Sequence, residues 1–295
     1  MGVPIKELVV VSGKGGTGKT SITGALATLI PDKVLADCDV DAANLQLILG
    51  GEQLAAGPFE SGWEISVDST VCIQCSKCGG LCQFGAIDNG KLIAPLLCEG
   101  CGVCADHCPT QAIAMQPRNA GEWKIWQTPY GMMANADLGV AIENSGKLVC
   151  KVKGLAREMS TERNAPLILT DGPPGIGCPA IAAITGATLV LAVVEPTLSA
   201  LHDAQRLFEL TEHFRIPLCV CINKSDLHSE VRQQIRDWCA TNRIQVTGEI
   251  SYRDEFRQAL KESRTVMTGA DEDLKSQIVK LWQQLEHRLA NSNKG

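Results

Sequence analysis

The apolar run Leu8-Val9-Val10-Val11 leads directly into "SGKGGTGKT", and then into a stretch where Ile22, Ala25, Leu26, Leu29 and Ile30 recur at helical spacing before Pro31. No other feature constrains the fold as tightly. An uninterrupted apolar run that ends in glycines reads as a strand buried on both faces, the kind found inside a parallel sheet. A glycine-rich turn that opens a helix gathers backbone N–H groups around an anion. Gly13, Lys14, Gly15, Gly16, Thr17, Gly18, Lys19 and Thr20 fit G-x-x-x-x-G-K-[ST] in that strand–turn–helix context. Lys19 is expected to reach the β- and γ-phosphates of a nucleotide, and Thr20 to place its hydroxyl on Mg²⁺.

Short apolar strands follow at 34–36, 167–170, 188–194 and 218–222, the later ones separated by amphipathic helices near 199–214 and 229–242. This alternation predicts an α/β fold, a parallel sheet with helices on both faces. Between 60 and 117 the rhythm stops, and eight cysteines crowd into very short apolar segments. The expected organisation is therefore a P-loop NTPase domain over 1–59 and 118–295, with a small α+β domain inserted at 60–117. Residues 118–150, with Trp123, Trp126 and Tyr130, read as a strand-and-loop return path.

Cys72, Cys75 and Cys78 stand at two-residue gaps, with Cys82 three residues further on. Cys98, Cys101, Cys104 and Cys108 repeat the pattern, with Pro109 behind. This is the bacterial-ferredoxin run C-x₂-C-x₂-C-x₃-C-P, in which the fourth cysteine serves the other cluster. Cys72, Cys75, Cys78 and Cys108 are thus expected to hold one [4Fe–4S] cube, and Cys98, Cys101, Cys104 and Cys82 the second. Gln83 stands where the first run would have proline, which removes stiffness and no ligand. Zinc remains an alternative, although its sites pair C-x₂-C units across longer loops, and disulfides suit an oxidising compartment. Among the other cysteines, Cys219, Cys221 and Cys239 fall on apolar positions of expected strands or helices, whereas Cys38 and Cys150 have no partner at ligand spacing.

A net charge of −6 argues against nucleic acid as the main partner. Lys14 and Lys19 interrupt any export signal at once, and the apolar runs are too short to span a bilayer, so a reducing cytoplasm is the expected setting. Leu274, Ile278, Leu281, Trp282, Leu285 and Leu289 form a helical stripe whose polar face mixes Lys275, Lys280 and Arg288 with Glu286. It lacks the basic bias of a membrane-surface helix and is expected to pack on the sheet.

The second loop lysine, Lys14, makes "KGGTGKT" similar to the deviant Walker A loop of the MinD/ParA ATPases and the nitrogenase iron protein. The resemblance implies that Lys14 reaches across a two-fold interface in an ATP-dependent dimer, of two like chains or of related ones. It implies that Asp37 and Asp39, in "LADCDVDAANL", occupy the two acidic positions of switch I. One would order Mg²⁺ and its waters, the other the attacking water. It further implies that Asp171, in "LILTDGPPGIG", sits by the magnesium, with Gly172–Gly177 as switch II. Asn223 and Lys224 match the adenine-reading position. Asn-Lys-x-Asp is also how GTPases read guanine, with Asp226 as acceptor. Cys178 stands where the nitrogenase iron protein holds a cysteine of its bridging cluster; an interface cluster and a buried structural thiol are the two readings. Three functions follow from the resemblance: ATP-gated electron transfer to a redox partner, assembly or carriage of iron–sulfur or another metallocofactor for a client, and MinD-type positioning with the clusters as structural or sensing elements.

Overall fold

The structure, a computed structural model, describes residues 4–139 and 145–292. The run before the phosphate loop forms β1 (Lys6–Ser12), buried from Glu7 onward, and the loop opens α1 (Lys19–Leu29). The chain continues through β2 (Lys33–Asp37), α2 (Leu45–Leu49) and the sixteen-residue β3 (Glu52–Val67). After α3 (Lys77–Leu81), β4 (Ile87–Asp88), β5 (Lys91–Leu92) and α4 (Val103–Asp106) come β6 (Ile113–Thr128) and β7 (Gly131–Leu138). The rest alternates as α5 (Ser145–Arg163), β8 (Leu167–Pro174), α6 (Cys178–Ile184), β9 (Leu189–Val194), α7 (Leu198–His213), β10 (Leu218–Asn223), α8 (Ser229–Thr241) and β11 (Gln245–Ile250). Helices α9 (Asp254–Lys261) and α10 (Glu272–Asn291) close the chain.

Among the described residues, nine strands form one sheet in the order β11-β10-β9-β1-β8-β2-β7-β6-β3. From β11 to β7 the pairings are parallel. The connection out of β1 leads to one side of the sheet and the connection out of β8 to the other. The crevice at the carboxyl ends of these neighbours is thus a topological switch point, where α/β sheets bind ligands. Register brings the chemistry there: Asp171 is the Cα partner of both Val10 and Asp37.

Alternation along each buried strand sends one set of side chains to each face. Leu8, Val10, Leu169, Leu191 and Cys221 join α1, α2, α9 and α10 in one core, and Cys219 belongs to it too. Leu274, Ile278, Leu281, Leu285 and Leu289 of α10 are buried in it, so the C-terminal stripe packs on the sheet as expected. The stretch 118–138 is strand and turn, but from Ser145 the chain is the nineteen-residue α5, where the sequence reading had loop. Residues 140–144 of that stretch lie outside the described residues.

The chain divides into two compact units, 1–57 with 123–137 and 145–295, and 58–122 with 138–144. The second has a small apolar core of Ile65, Ile87 and Ile113, around which cysteines stand where a larger domain would place leucines. Its described helices are a turn or so long, and a separate two-residue hairpin pairs Ile87 with Leu92 and Asp88 with Lys91. A core this small rarely supports a fold without a metal or covalent staple.

Candidate functional site

In the loop after β1 the glycines do different work. A Cβ on Gly13 would lie 2.1 Å from Asp203 Cβ, and one on Gly18 (φ +93) would lie 2.3 Å from Asn223 Nδ2, so both positions demand glycine. Gly15 and Gly16 face open space, which leaves room there for a ligand. Asn223 at the end of β10 donates to Thr17 O at 2.7 Å, and Lys224 Nζ donates to Gly16 O at 2.9 Å, fastening the loop from the next strand but one. Asn223 Oδ1 and Thr17 Oγ1 remain buried without a partner. Asp226 accepts the Tyr252 N–H at 2.6 Å.

Around the start of α1, the Asp171 carboxylate accepts from Thr20 Oγ1 at 2.7 Å and from Thr23 Oγ1 at 2.9 Å, and pairs with Lys19 Nζ at 2.9 Å. Asp39 stands 3.6 Å from the same ammonium. Asp37 is fully buried and accepts the Leu45 and Asp39 N–H groups at 2.9 and 3.2 Å. Burial, and then the neighbouring Asp171, push the Asp37 carboxyl well above the usual carboxylate range. Burial also raises Asp39, partly countered by Lys19. Burial works to lower Lys19, but Asp171, then Asp37 and Asp39, outweigh it and hold the ammonium above its ordinary value. The structure thus brings together Lys19, Thr20, Asp37, Asp39 and Asp171, beside a cleft of ≈ 710 Å³ bounded by Gly15, Gly16, Asp39, Pro173 and Pro174. The donor set fits a nucleotide with magnesium: oxygen ligands for a hard cation, an ammonium for phosphate, and orphaned polar atoms in the loop.

Lys14 pairs within its own chain, 2.7 Å from Glu195, and reaches Thr197 and Ser199 at 3.4 Å. Glu195 also holds Lys224 at 2.9 Å; burial would raise its carboxyl, but the two lysines keep it below the ordinary value. Sequence reasoning missed Glu195 and Asp203. The signal available for Glu195 was its place directly after the buried strand β9, as Asp37 and Asn223 stand at the ends of theirs.

Cys72, Cys75, Cys78 and Cys108, the first expected ligand set, line a single cavity together with Ile73, Gly90 and Pro109. Gly90 is needed there, since a Cβ would come within 2.3 Å of Cys72 Sγ. Cys82, Cys98 and Cys104 of the second set pack around the unit's small core, and Cys101 is exposed. The two cysteine runs also repeat in backbone conformation. Gln74 and Ser76 are left-handed in the first, and Gly100 and Gly102 at the same offset in the second; Gly85 and Gln111 match likewise. Cys82 Sγ accepts the Ala86 N–H at 3.4 Å, and Cys108 Sγ the corresponding Ala112 N–H at 3.3 Å. Burial opposes ionisation of both thiols, but backbone N–H groups outweigh it and lower them below the usual thiol value. Loops that point N–H groups at sulfur suit thiolate ligands. Among the described residues no three His, Cys, Asp or Glu side chains gather about a single ion.

Cys219, Cys221 and Cys239 are buried, as expected of core residues, whereas Cys178 is exposed at the start of α6, contrary to the reading of a buried thiol. Among the described residues, no helix is long and apolar enough to cross a membrane.

Residues 8–266 match the family described as the CobQ/CobB/MinD/ParA nucleotide binding domain. The uncharacterized protein MJ0578 of Methanocaldococcus jannaschii is 37% identical over 231 residues, which cover 76% of this chain and 80% of that protein. The pyruvate synthase subunit PorD of Methanothermobacter marburgensis is 42% identical over 50 residues, 17% of this chain and 62% of that one. Among solved structures, the septum site-determining protein MinD of Pyrococcus horikoshii, complexed with Mg-ADP, superposes with a TM-score of 0.59 at 17% identity, over 99% of this chain and 100% of that one.

Proposed function

The chain belongs to the CobQ/CobB/MinD/ParA nucleotide-binding family, and from that premise we propose that it is an ATPase which couples ATP-driven motion of its switches to electron transfer through two [4Fe–4S] clusters. The observation that carries the reading is the convergence of Cys72, Cys75, Cys78 and Cys108 on one cavity, in a chain whose P-loop already gathers Lys19, Thr20 and Asp171. The clusters, when bound, supply one-electron chemistry, and magnesium neutralises phosphate charge. Cys98, Cys101, Cys104 and Cys82 hold the second cube. The ferredoxin-like insertion, residues 60–117, has the weak core expected of a fold stapled by metal. A short likeness, 38% identity over 60 residues, to the uncharacterized ferredoxin MJ0722 of Methanocaldococcus jannaschii points the same way.

At the nucleotide, Lys19 binds phosphate and Thr20 with Asp171 holds Mg²⁺. Of the two switch I acids, the buried Asp37 orders the metal's waters, and Asp39, closer to the cleft, orients the attacking water. ATP is favoured over GTP because Asp226, which a GTPase would aim at guanine, is engaged by the Tyr252 N–H. Leu47 and Leu260 stand exposed at the cleft, Leu198 at the start of α7, and Leu227 and Tyr252 on loops, as an ATP-dependent dimer face requires. In that dimer Lys14 leaves Glu195 for the partner's phosphates.

Electron transfer is ranked above cofactor delivery because eight thiols can ligate two cubes fully, leaving no open site for a labile cargo. A purely positioning role would need a surface helix for the membrane, and the α10 stripe that could serve as one is buried. The test is anaerobic purification followed by metal, sulfide and nucleotide analysis. About eight irons and eight sulfides per chain are expected from two cubes, together with Mg-ATP hydrolysis abolished by Lys19→Ala. Stoichiometric zinc without sulfide rejects the cluster reading.

A further inference from the structure

In five residues ahead of the cluster ligand Cys98 stand three large apolar side chains in water: Ile93 is 62%, Leu96 65% and Leu97 53% exposed. Covering the exposed half or more of each apolar side chain would be favourable. The segment is also held from folding inward. Ile93 and Ala94 both donate to Ala86 O, at 2.9 and 3.1 Å, and Leu97 and Cys98 close a tight turn on Ala94 O and Pro95 O at 3.0 and 3.1 Å. A rigid backbone that presents apolar side chains outward is preorganised for a partner. Leu96 borders a ≈ 300 Å³ cavity that reaches Cys98, where Arg118 donates to Cys98 O at 3.4 Å.

Charge selects the partner. Between 58 and 122 there are seven acidic residues (Glu60, Glu64, Asp68, Asp88, Glu99, Asp106, Glu122) against Lys77, Lys91 and Arg118. Glu99 is exposed beside Cys98, and Glu64 shares the cavity with Leu96. Thiolate-ligated cubes add further negative charge. A second copy of this unit or an anionic membrane would be repelled, whereas a basic rim would be drawn in and oriented.

We propose that the Ile93–Glu99 segment is the docking face for a one-electron carrier protein whose contact surface is apolar at its centre and ringed by lysine or arginine. The proposal rests on the reading of the cysteines as cluster ligands. In the step it serves, one electron leaves a reduced cube, which returns to its oxidised level, and enters the carrier's redox centre; no bond breaks and no proton moves.

Ferricytochrome c, a basic one-electron carrier, is the probe. It is titrated by calorimetry into oxidised, cluster-loaded protein without reductant, so that binding alone is read, at low and at physiological salt. Binding is expected at low salt, weakened about tenfold or more by L96S/L97S and several-fold by E99Q. The visible absorbance of the clusters should be unchanged, and L54S, at an exposed leucine of the other unit, should bind as the parent does. Parent-like affinity in cluster-loaded L96S/L97S and E99Q overturns the docking face while leaving the cluster reading intact. Loss of self-association in L96S/L97S without loss of cytochrome binding overturns it in favour of a second copy. A chain that carries neither iron nor sulfide overturns the face together with the reading beneath it.

Discussion

Asp37, Asp39 and Asp171 set three carboxylates against one ammonium, that of Lys19, in a mostly buried space. Fully ionised, the group would carry two excess negative charges, matched by one divalent cation. Without that cation Asp37 is pushed up to about 8. The native state then holds a proton that the unfolded chain releases near the ordinary carboxylate value, so stability falls as pH rises between about 4 and about 8. Magnesium takes the proton's place. The melting temperature of nucleotide-free protein should therefore decline across that window, less steeply with Mg-ATP, and Asp37→Asn should flatten the nucleotide-free curve. Calorimetric titration of Mg-ATP in buffers of different ionisation enthalpy near pH 7 should also show proton release that Asp37→Asn removes. A second prediction concerns backbone strain. Gln111 is left-handed (φ 54) where the other cysteine run has Gly85. A side chain in that region costs about 1 kcal/mol, partly offset by glycine's freedom in the unfolded chain. Gln111→Gly should leave the stability of cluster-loaded protein equal or slightly raised in denaturant titration, whereas Gly85→Gln should lower it.

At the scale of elements, α6 follows switch II and is anchored at its far end by α5. Lys153, almost wholly buried, donates to Ala183 O and, at 2.8 Å, to Thr185 O, and pairs with the buried Glu7 of β1 at 3.1 Å. Glu7 in turn accepts from Thr170, the residue before Asp171, at 3.0 Å. Without Lys153 the buried Glu7 keeps only the half-exposed Arg157 guanidinium, 3.2 Å from its other oxygen, so the cost falls toward the low end of the range, about 3–5 kcal/mol, typical of a stranded buried charge. Lys153→Met alone should destabilise by that amount in urea titration, and Glu7→Gln added to it should recover a substantial part. This anchor was not legible in the sequence, because nothing local marks Glu7 as buried or Lys153 as its partner. The strands β1, β2, β8, β9 and β10 were legible, since burial on both faces writes them as apolar runs. The long β3 was not: its residues alternate between exposed and half-covered, with Gly57, Pro58 and Gly62 inside it. In the site, P-loop and cysteine spacings are local patterns and could be read directly. Glu195 and Asp203 act through contacts with residues nearly two hundred positions away, which only the sheet order brings together.

At the scale of the whole chain, the sequence order alone couples the two chemistries. The insertion begins after switch I, at Asp37 and Asp39, and the chain returns from it through α5, which is clamped to the helix after switch II. If γ-phosphate and magnesium displace these switches, the cluster-bearing segment is attached to moving parts at both of its ends. Thermodynamic linkage then requires reciprocity: a cluster potential that depends on nucleotide implies an ATP affinity that depends on cluster oxidation state, by the same factor. Couplings of this kind usually amount to ~1–3 kcal/mol, a several-fold to hundred-fold change in affinity. We therefore expect anaerobic Mg-ATP titrations of reduced and oxidised protein to differ at least several-fold. Asp171→Ala should abolish the difference by disconnecting switch II from magnesium, in titrations carried to ATP concentrations high enough to saturate the weakened site. Glu7→Gln with Lys153→Met should reduce it while leaving oxidised-state affinity near that of the parent, because that pair holds α6 to α5 and touches no nucleotide. Equal affinities in both redox states, with cluster potentials unmoved by ATP, would show that the clusters ride on the ATPase without being gated by it.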